Sequence, residues 1–267
     1  NYNHDIQVMM RFIRQKYNLN FGVMVQPQQS KYIQDYQGVH VDTVRNVVNV
    51  SPTLDFRYRF SKMSNLRINY RGTTSQPSIS QLLDITDNSD PLNISMGNPG
   101  LKPSFTQNFR LFYNNFVQNH NKGIMTFVNF STTNNSISNK VTYDETTGGR
   151  ITRPENINGN WNAMGAFMFN CSIDSAGVWN INTGAHANYN NYVSYLSLDK
   201  KSDSQKNTTR SITWRQNLSF SYRNDWAEFS LDGTLTYNKA KNKLQPTSNL
   251  ETWQFSYGPS MTLTAPW

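Results

Sequence analysis

One cysteine, few charged residues and no long apolar run exclude several classes of protein for this chain of 267 residues. Cys171 has no second cysteine to pair with, so an internal disulfide, a cysteine zinc site and a thioredoxin-like motif are all excluded. No apolar stretch is long enough for a membrane helix, and the N-terminus carries no signal-peptide pattern. Charged residues make up 16% of the chain, against about 25% in ordinary soluble domains. The Glu, Lys and Ala that build exposed helices are correspondingly scarce. The 25 Lys and Arg outnumber the 17 Asp and Glu, giving a net charge of +8, but they are scattered singly. Without a basic run or an RNA-recognition signature, nucleic acid is not an expected partner.

What remains is rich in Asn, Ser, Thr and Gln, with aromatics at 13%, a composition that favours strands. In "SITWRQNLSFSYRNDWAEFSLDGTLTY" (211–237), Ile212, Trp214, Leu218, Phe220 and Tyr222 alternate with Thr213, Arg215, Asn217, Ser219 and Ser221. The same period of two runs through Leu54, Phe56, Tyr58 and Phe60, through Leu66, Ile68 and Tyr70, and through Phe229, Leu231, Leu235 and Tyr237. Cys171 shares a face with Phe167 and Phe169, where a thiol serves as a small apolar filler.

Strands recur as five pairs and one final strand, eleven in all, each pair joined by a tight turn near Gln15, "SKMS", "VQNHNK", "DSAG" or "RND". The connections between pairs are long and polar, beginning with "PQQSKYIQDYQGVHVDTV". Short turns alternating with long loops are the signature of an up-and-down barrel that spans an outer membrane. Strands of about ten residues suit a tilted crossing of a bilayer. The reading is an all-β, antiparallel, partial transmembrane barrel, with residues 1–267 forming a single region of it. Both ends lie inside strand patterns, so a longer polypeptide is expected. The alternative is a secreted or surface-exposed soluble β-domain that binds glycans or proteins.

The segment "GNPGLKPSFTQNFRLFY" adds a resemblance. Gly97, Asn98, Pro99, Leu101, Lys102 and Pro103 match a "GNPxLKPE" stretch found in late barrel segments of TonB-dependent outer-membrane receptors, especially those of the Bacteroidetes outer-membrane β-barrel family. Ser104 stands where that family usually has Glu. The order of "YNLNFGV", "SPTLDFRYRFSKMSNLRINYRGTTSQPSISQL" and "TRPENINGNWNAMGAFMF" is also similar. The resemblance implies energy-coupled uptake of a large or scarce solute such as a glycan, a peptide or a metal chelate, in the outer membrane of a Gram-negative bacterium. It implies as partners the membrane lipid, an N-terminal plug, through it the TonB energy-coupling protein, and a surface lipoprotein. On that basis this chain is a middle-to-late part of a barrel of twenty-two strands, with the plug and the closing strand outside it. The prolines and glycines of the motif suit a stiff turn into a strand.

Other chemistry finds no pattern. His4, His40, His120 and His186 share no ligand spacing, and Asp84, Asp87 and Asp90 lack the glycine and terminal Glu of a calcium loop. Asp144, Glu145 and Glu155 offer carboxylates without placing them across a sugar, and no nucleophile elbow or phosphate loop occurs. An enzyme is not expected, nor a cofactor. Arg57, Arg59, Arg67, Arg71, Arg110 and Arg215 fall on the polar side of the alternation and are expected to face the barrel interior, either paired with carboxylates such as Asp55, Glu228 and Asp232 or, in the alternative reading, attracting an anionic nutrient or contacting the plug. Trp214, Leu218, Phe220, Phe229, Leu231 and Leu235 are expected to face lipid, and Ser219, Ser221, Thr234 and Thr236 the interior.

Overall fold

Period-two alternation of aromatic and β-branched residues with amides and hydroxyls builds a sheet rather than helices. In the computed structural model, which describes residues 1–36 and 38–265, strands β1 (Tyr2–Asn3), β2 (Ile6–Ile13), β3 (Tyr17–Tyr36), β4 (Val39–Ser61) and β5 (Ser64–Ser75) come first. A single helical turn, α1 (Ile79–Leu82), and two short strands, β6 (Thr86–Asp87) and β7 (Asn93–Met96), precede β8 (Ser104–Val117) and β9 (Lys122–Asn134). A second insertion carries β10 (Ser136–Tyr143) and β11 (Arg150–Ile157). The chain then runs through β12 (Asn160–Ser172), β13 (Trp179–Leu196), β14 (Gln205–Arg223), β15 (Ala227–Asn242) and β16 (Leu250–Leu263).

Twelve of these strands form one antiparallel sheet, ordered β1-β3-β4-β5-β8-β9-β12-β13-β14-β15-β16, with β2 also paired to β3. The expected eleven become twelve because the first strand is interrupted. His4 donates its backbone N–H to the Pro27 carbonyl at 3.1 Å. The proline has no N–H to return toward that edge, and the ladder lapses between β1 and β2. The sheet is open among the described residues, with β1 and β2 on one edge and β16 on the other.

Five short turns lie at one end of the sheet, at residues 14–16, 62–63, 118–121, 173–178 and 224–226. The other end differs from expectation in two ways. The stretch around 26–44, read as a loop, is a hairpin extension of β3 and β4, where pairing continues from Gln26 opposite Asn49 to Tyr36 opposite Val39. Val39, Val41 and Thr43 keep the strand period, and Lys31 pairs with Asp42 at 3.1 Å. The loops at 76–103 and 135–159 fold together into a four-stranded sheet, β10-β11-β7-β6, in which β11 and β7 run parallel. The α1 turn carries a capping box, with Gln81 N–H donating to Ser78 Oγ and Ser78 N–H to Gln81 Oε1.

Packing is as unusual as composition. Among the described residues Leu101, Ile157 and Val193 are the buried branched aliphatic side chains. All three lie at the loop end, so the loops have a small core and the large sheet has none. A soluble sandwich of this length would bury one face of its sheet against another layer. Here Trp253, Phe255 and Tyr257 on β16 stand 60–75% exposed.

Candidate functional site

Residues directly opposite in an antiparallel ladder share a face, so register carries face identity across the sheet. Phe220 lies opposite Leu231 and Ile181, Ile181 opposite Cys171, and Leu231 opposite Pro259. Toward the other edge, Tyr70 lies opposite Phe109 and Leu54, Leu54 opposite Phe21, and Phe21 opposite Met10. One face is therefore apolar from β2 to β16. Trp214, Leu218, Phe220, Phe229, Leu231 and Leu235 all belong to it. Ser219, Ser221, Thr234 and Thr236 belong to the other, opposite Asp232, Ser230, Asn217 and Arg215.

Aromatic rings gather toward both ends of the apolar face. From mid-strand toward the loops, contacts run Tyr70–Phe109–Phe130–Trp161–Tyr189, with centroids 4.8 to 6.1 Å apart. Toward the short turns they run Tyr17–Phe56–Tyr58–Phe60–Tyr113, and further along the sheet Trp179 meets Tyr222 at 4.6 Å. Trp179 and Tyr222 lie nearer the short turns, in register terms, than Tyr113 does, a drift expected of strands tilted to the barrel axis. Around β12–β14, where Trp161 and Tyr189 stand well apart from Trp179 and Tyr222, the rings match the aromatic girdles that sit at the two surfaces of a bilayer. Sequence reasoning missed them, although aromatics recurring near both strand ends were a readable signal.

The polar face brings five of the six candidate arginines together. Arg57 lies directly opposite Arg67, Arg59 opposite Asn65, Asn69 opposite Arg110, and Arg71 opposite Thr53 and Asn108. Arg215 stands apart on β14, opposite His186 and Thr236. Asp55 takes both Arg57 (3.6 Å) and Arg67 (3.2 Å). The other carboxylates expected to balance these arginines do not reach them: Glu228 pairs with Arg223, and Asp232 accepts from Ser230 Oγ. Three hollows of about 570, 530 and 500 Å³ open on this face.

At the loop end, the motif residues tie the two insertions together. Asn98 donates from Nδ2 to the Pro154 carbonyl (2.9 Å), and its Oδ1 accepts from Gly100 N–H and Arg153. Asn156 accepts from Lys102 N–H (2.8 Å) and donates back to the Lys102 and Asn135 carbonyls. Gly97 packs so tightly on α1 that a Cβ there would lie 1.7 Å from the Leu83 carbonyl oxygen. Leu101 is buried, and Pro103 ends the turn just before β8. Beside the motif a hollow of about 450 Å³ is lined by uncharged polar residues such as Gln34, Gln81, Asn139 and Thr152, with Asp87.

The remaining candidates are dispersed. His40 lies against Asp35, His120 against the Ser172 carbonyl, and His186 on the polar face. Asp90 and Asp144 bind the N–H groups of their own turns; the side chains of Asn93 and Thr147, respectively, are the main cause holding their carboxyls below the usual range. Glu155 pairs with Lys140 at 3.8 Å.

No curated protein matches the chain. An uncovered apolar face flanked by ring girdles, a polar opposite face and loops of unequal length at the two ends agree with a family model that matches residues 10–264: the chain belongs to the outer membrane protein beta-barrel family and resides in the outer membrane of a Gram-negative bacterium.

Proposed function

We propose that this barrel segment belongs to a TonB-dependent receptor of the Bacteroidetes type, importing a solute too large or too scarce for passive pores. The observation that supports this best is the "GNPGLKP" segment, whose Asn98 and Lys102 are held by the second insertion to build a folded cap over the loop end. A passive pore needs no such cap, whereas a receptor must recognise its cargo before moving it. An N-terminal plug, the TonB protein reached through it and a surface lipoprotein are the partners in this reading. The protein works without a cofactor and is not an enzyme. Membership of the outer-membrane family displaces the soluble β-domain alternative.

Uptake tests the proposal. Deleting the gene should abolish growth on a scarce solute that the parent strain uses, and depleting TonB should abolish it equally. Uptake that persists without TonB, through a channel open in planar bilayers, would mean a passive pore.

A further inference from the structure

Register concentrates cations at the short-turn end of the polar face. Lys16, Arg59, Asn65 and Asn114 stand in one rank, and Asn18, Arg57, Arg67 and Phe112 in the next. The link between the turn and β4 is explicit, with Arg59 N–H donating to the Lys16 carbonyl at 2.7 Å. With Arg14, these ranks line the hollow of about 530 Å³, which has five cationic side chains and no carboxylate. Its size lies within the range of small-molecule sites, roughly 300–1,000 Å³.

The arrangement is unfavourable if left empty of anions. Like charges directly opposite in a ladder repel, with Cβ atoms about 4.5–5.5 Å apart. Arg57 and Arg67 are such a pair, and the one nearby acid, Asp55, is divided between them. Arg59 and Lys16 form no ion pair among the described residues. Nor is the whole polar face basic, since β15 carries Glu228 and Asp232. The positive charge is local, and a local concentration of guanidinium forks matches phosphate or carboxylate oxygens two at a time. The carboxamides of Asn18, Asn65 and Asn114 supply further donors around them.

We propose that this hollow binds a small polyanion carrying phosphate or clustered carboxylate groups, and that such anions are the class of solute the barrel conducts. The site rests on register and charge, whereas the conducting role rests on the transport reading. A cationic wall inside a low-dielectric enclosure raises the local concentration of anions and draws them toward the short-turn end, the periplasmic side in outer-membrane barrels.

The test uses full-length protein in detergent micelles at low ionic strength, titrated with inorganic pyrophosphate. Saturable binding is expected, weakened about tenfold or more by Arg59→Gln combined with Arg67→Gln and unchanged by Lys243→Gln. Butanedione labelling of the wild type provides a readout that needs no variant. Pyrophosphate should protect Arg57, Arg59 and Arg67 while leaving Arg223, at the same end of the sheet, as reactive as before. Absent saturation, equal affinity in the double variant, or equal protection of Arg223 overturns the site. Protection of the three arginines without pyrophosphate also overturns it, because an acidic segment of the polypeptide would then already occupy the hollow. Loss of TonB dependence with binding retained overturns transport and leaves the site standing, whereas TonB-dependent uptake without pyrophosphate binding overturns the site alone.

Discussion

Leu231 stands directly opposite Phe220 across the β14–β15 ladder, and the next pair along, Asp232 and Ser219, points to the other face. In a membrane barrel that single step separates lipid from the interior. Leu231→Arg places a charge in lipid just inside the Tyr222–Phe229 pair of the girdle. The cost there should be about 1–2 kcal/mol, between the values for the interface and for mid-bilayer. Thr234→Arg puts the same charge opposite Asn217 on the polar face, where the change should be mild. Folding of full-length variants into lipid vesicles, followed by heat-modifiable migration, compares them. Equal losses, or a greater loss for Thr234→Arg, would make the polar face the buried one.

Gly97 meets the Leu83 carbonyl more closely than any side chain allows. Gly97→Ala should push the motif away from α1 at a cost of about 1–3 kcal/mol, as overpacking does elsewhere. The loss should be local. Amide exchange should quicken across residues 76–103 and 135–159, while the β12–β16 ladder keeps its protection. Unchanged exchange in both insertions would show that the motif does not hold the cap together.

Strand period made the large sheet legible, because alternation in segments such as 54–60 and 229–237 is local and survives any tertiary arrangement. The same period hid where the membrane part of β3 and β4 stops, since the hairpin extension alternates just as the spanning part does. The small loop sheet was illegible for another reason. Its β7–β11 pairing joins Asn93 to Arg150 and Ser95 to Thr152, and nothing local marks contacts so far apart in sequence. The arginines fall between these cases. Alternation assigns all six to one face, but only register shows Arg57 against Arg67 and isolates Arg215. The capping box at Ser78 and Gln81 and the missing N–H of Pro27 were present in the sequence as local signals, each too short to change an expected strand count or loop.

Asp174 organises the turn between β12 and β13, accepting from the N–H groups of Trp179 (2.7 Å) and Val178 (3.1 Å). The Trp179 bond is the main cause holding its carboxyl below the ordinary value. A carboxylate lowered on folding stabilises the folded state above its unfolded pKa, about 3.9, and that contribution disappears as pH falls through the folded value. The turn should therefore loosen below about pH 4, seen as faster exchange at Trp179 relative to neighbouring turns. Asp174→Asn should exchange faster at neutral pH and show little further change on acidification. A variant that keeps the wild-type pH profile would assign the transition to another group.

Asp55 is the one carboxylate between Arg57 and Arg67, whose side chains are half exposed. Asp55→Asn removes the charge that offsets their mutual repulsion while keeping the side-chain size. Screening by solvent limits the cost, so the loss of stability should be about 1 kcal/mol at low ionic strength. Salt then discriminates between repulsion and a merely lost hydrogen bond. At 1 M salt the screening length falls to about 3 Å, shorter than the spacing of the two arginines along the ladder. Urea unfolding of the reconstituted full-length variant should therefore recover most of the deficit at high salt, whereas the wild type gains little. A deficit that salt does not reduce would place the contribution of Asp55 in hydrogen bonding alone, and the Arg57–Arg67 contact would then carry no repulsion for an anion to relieve.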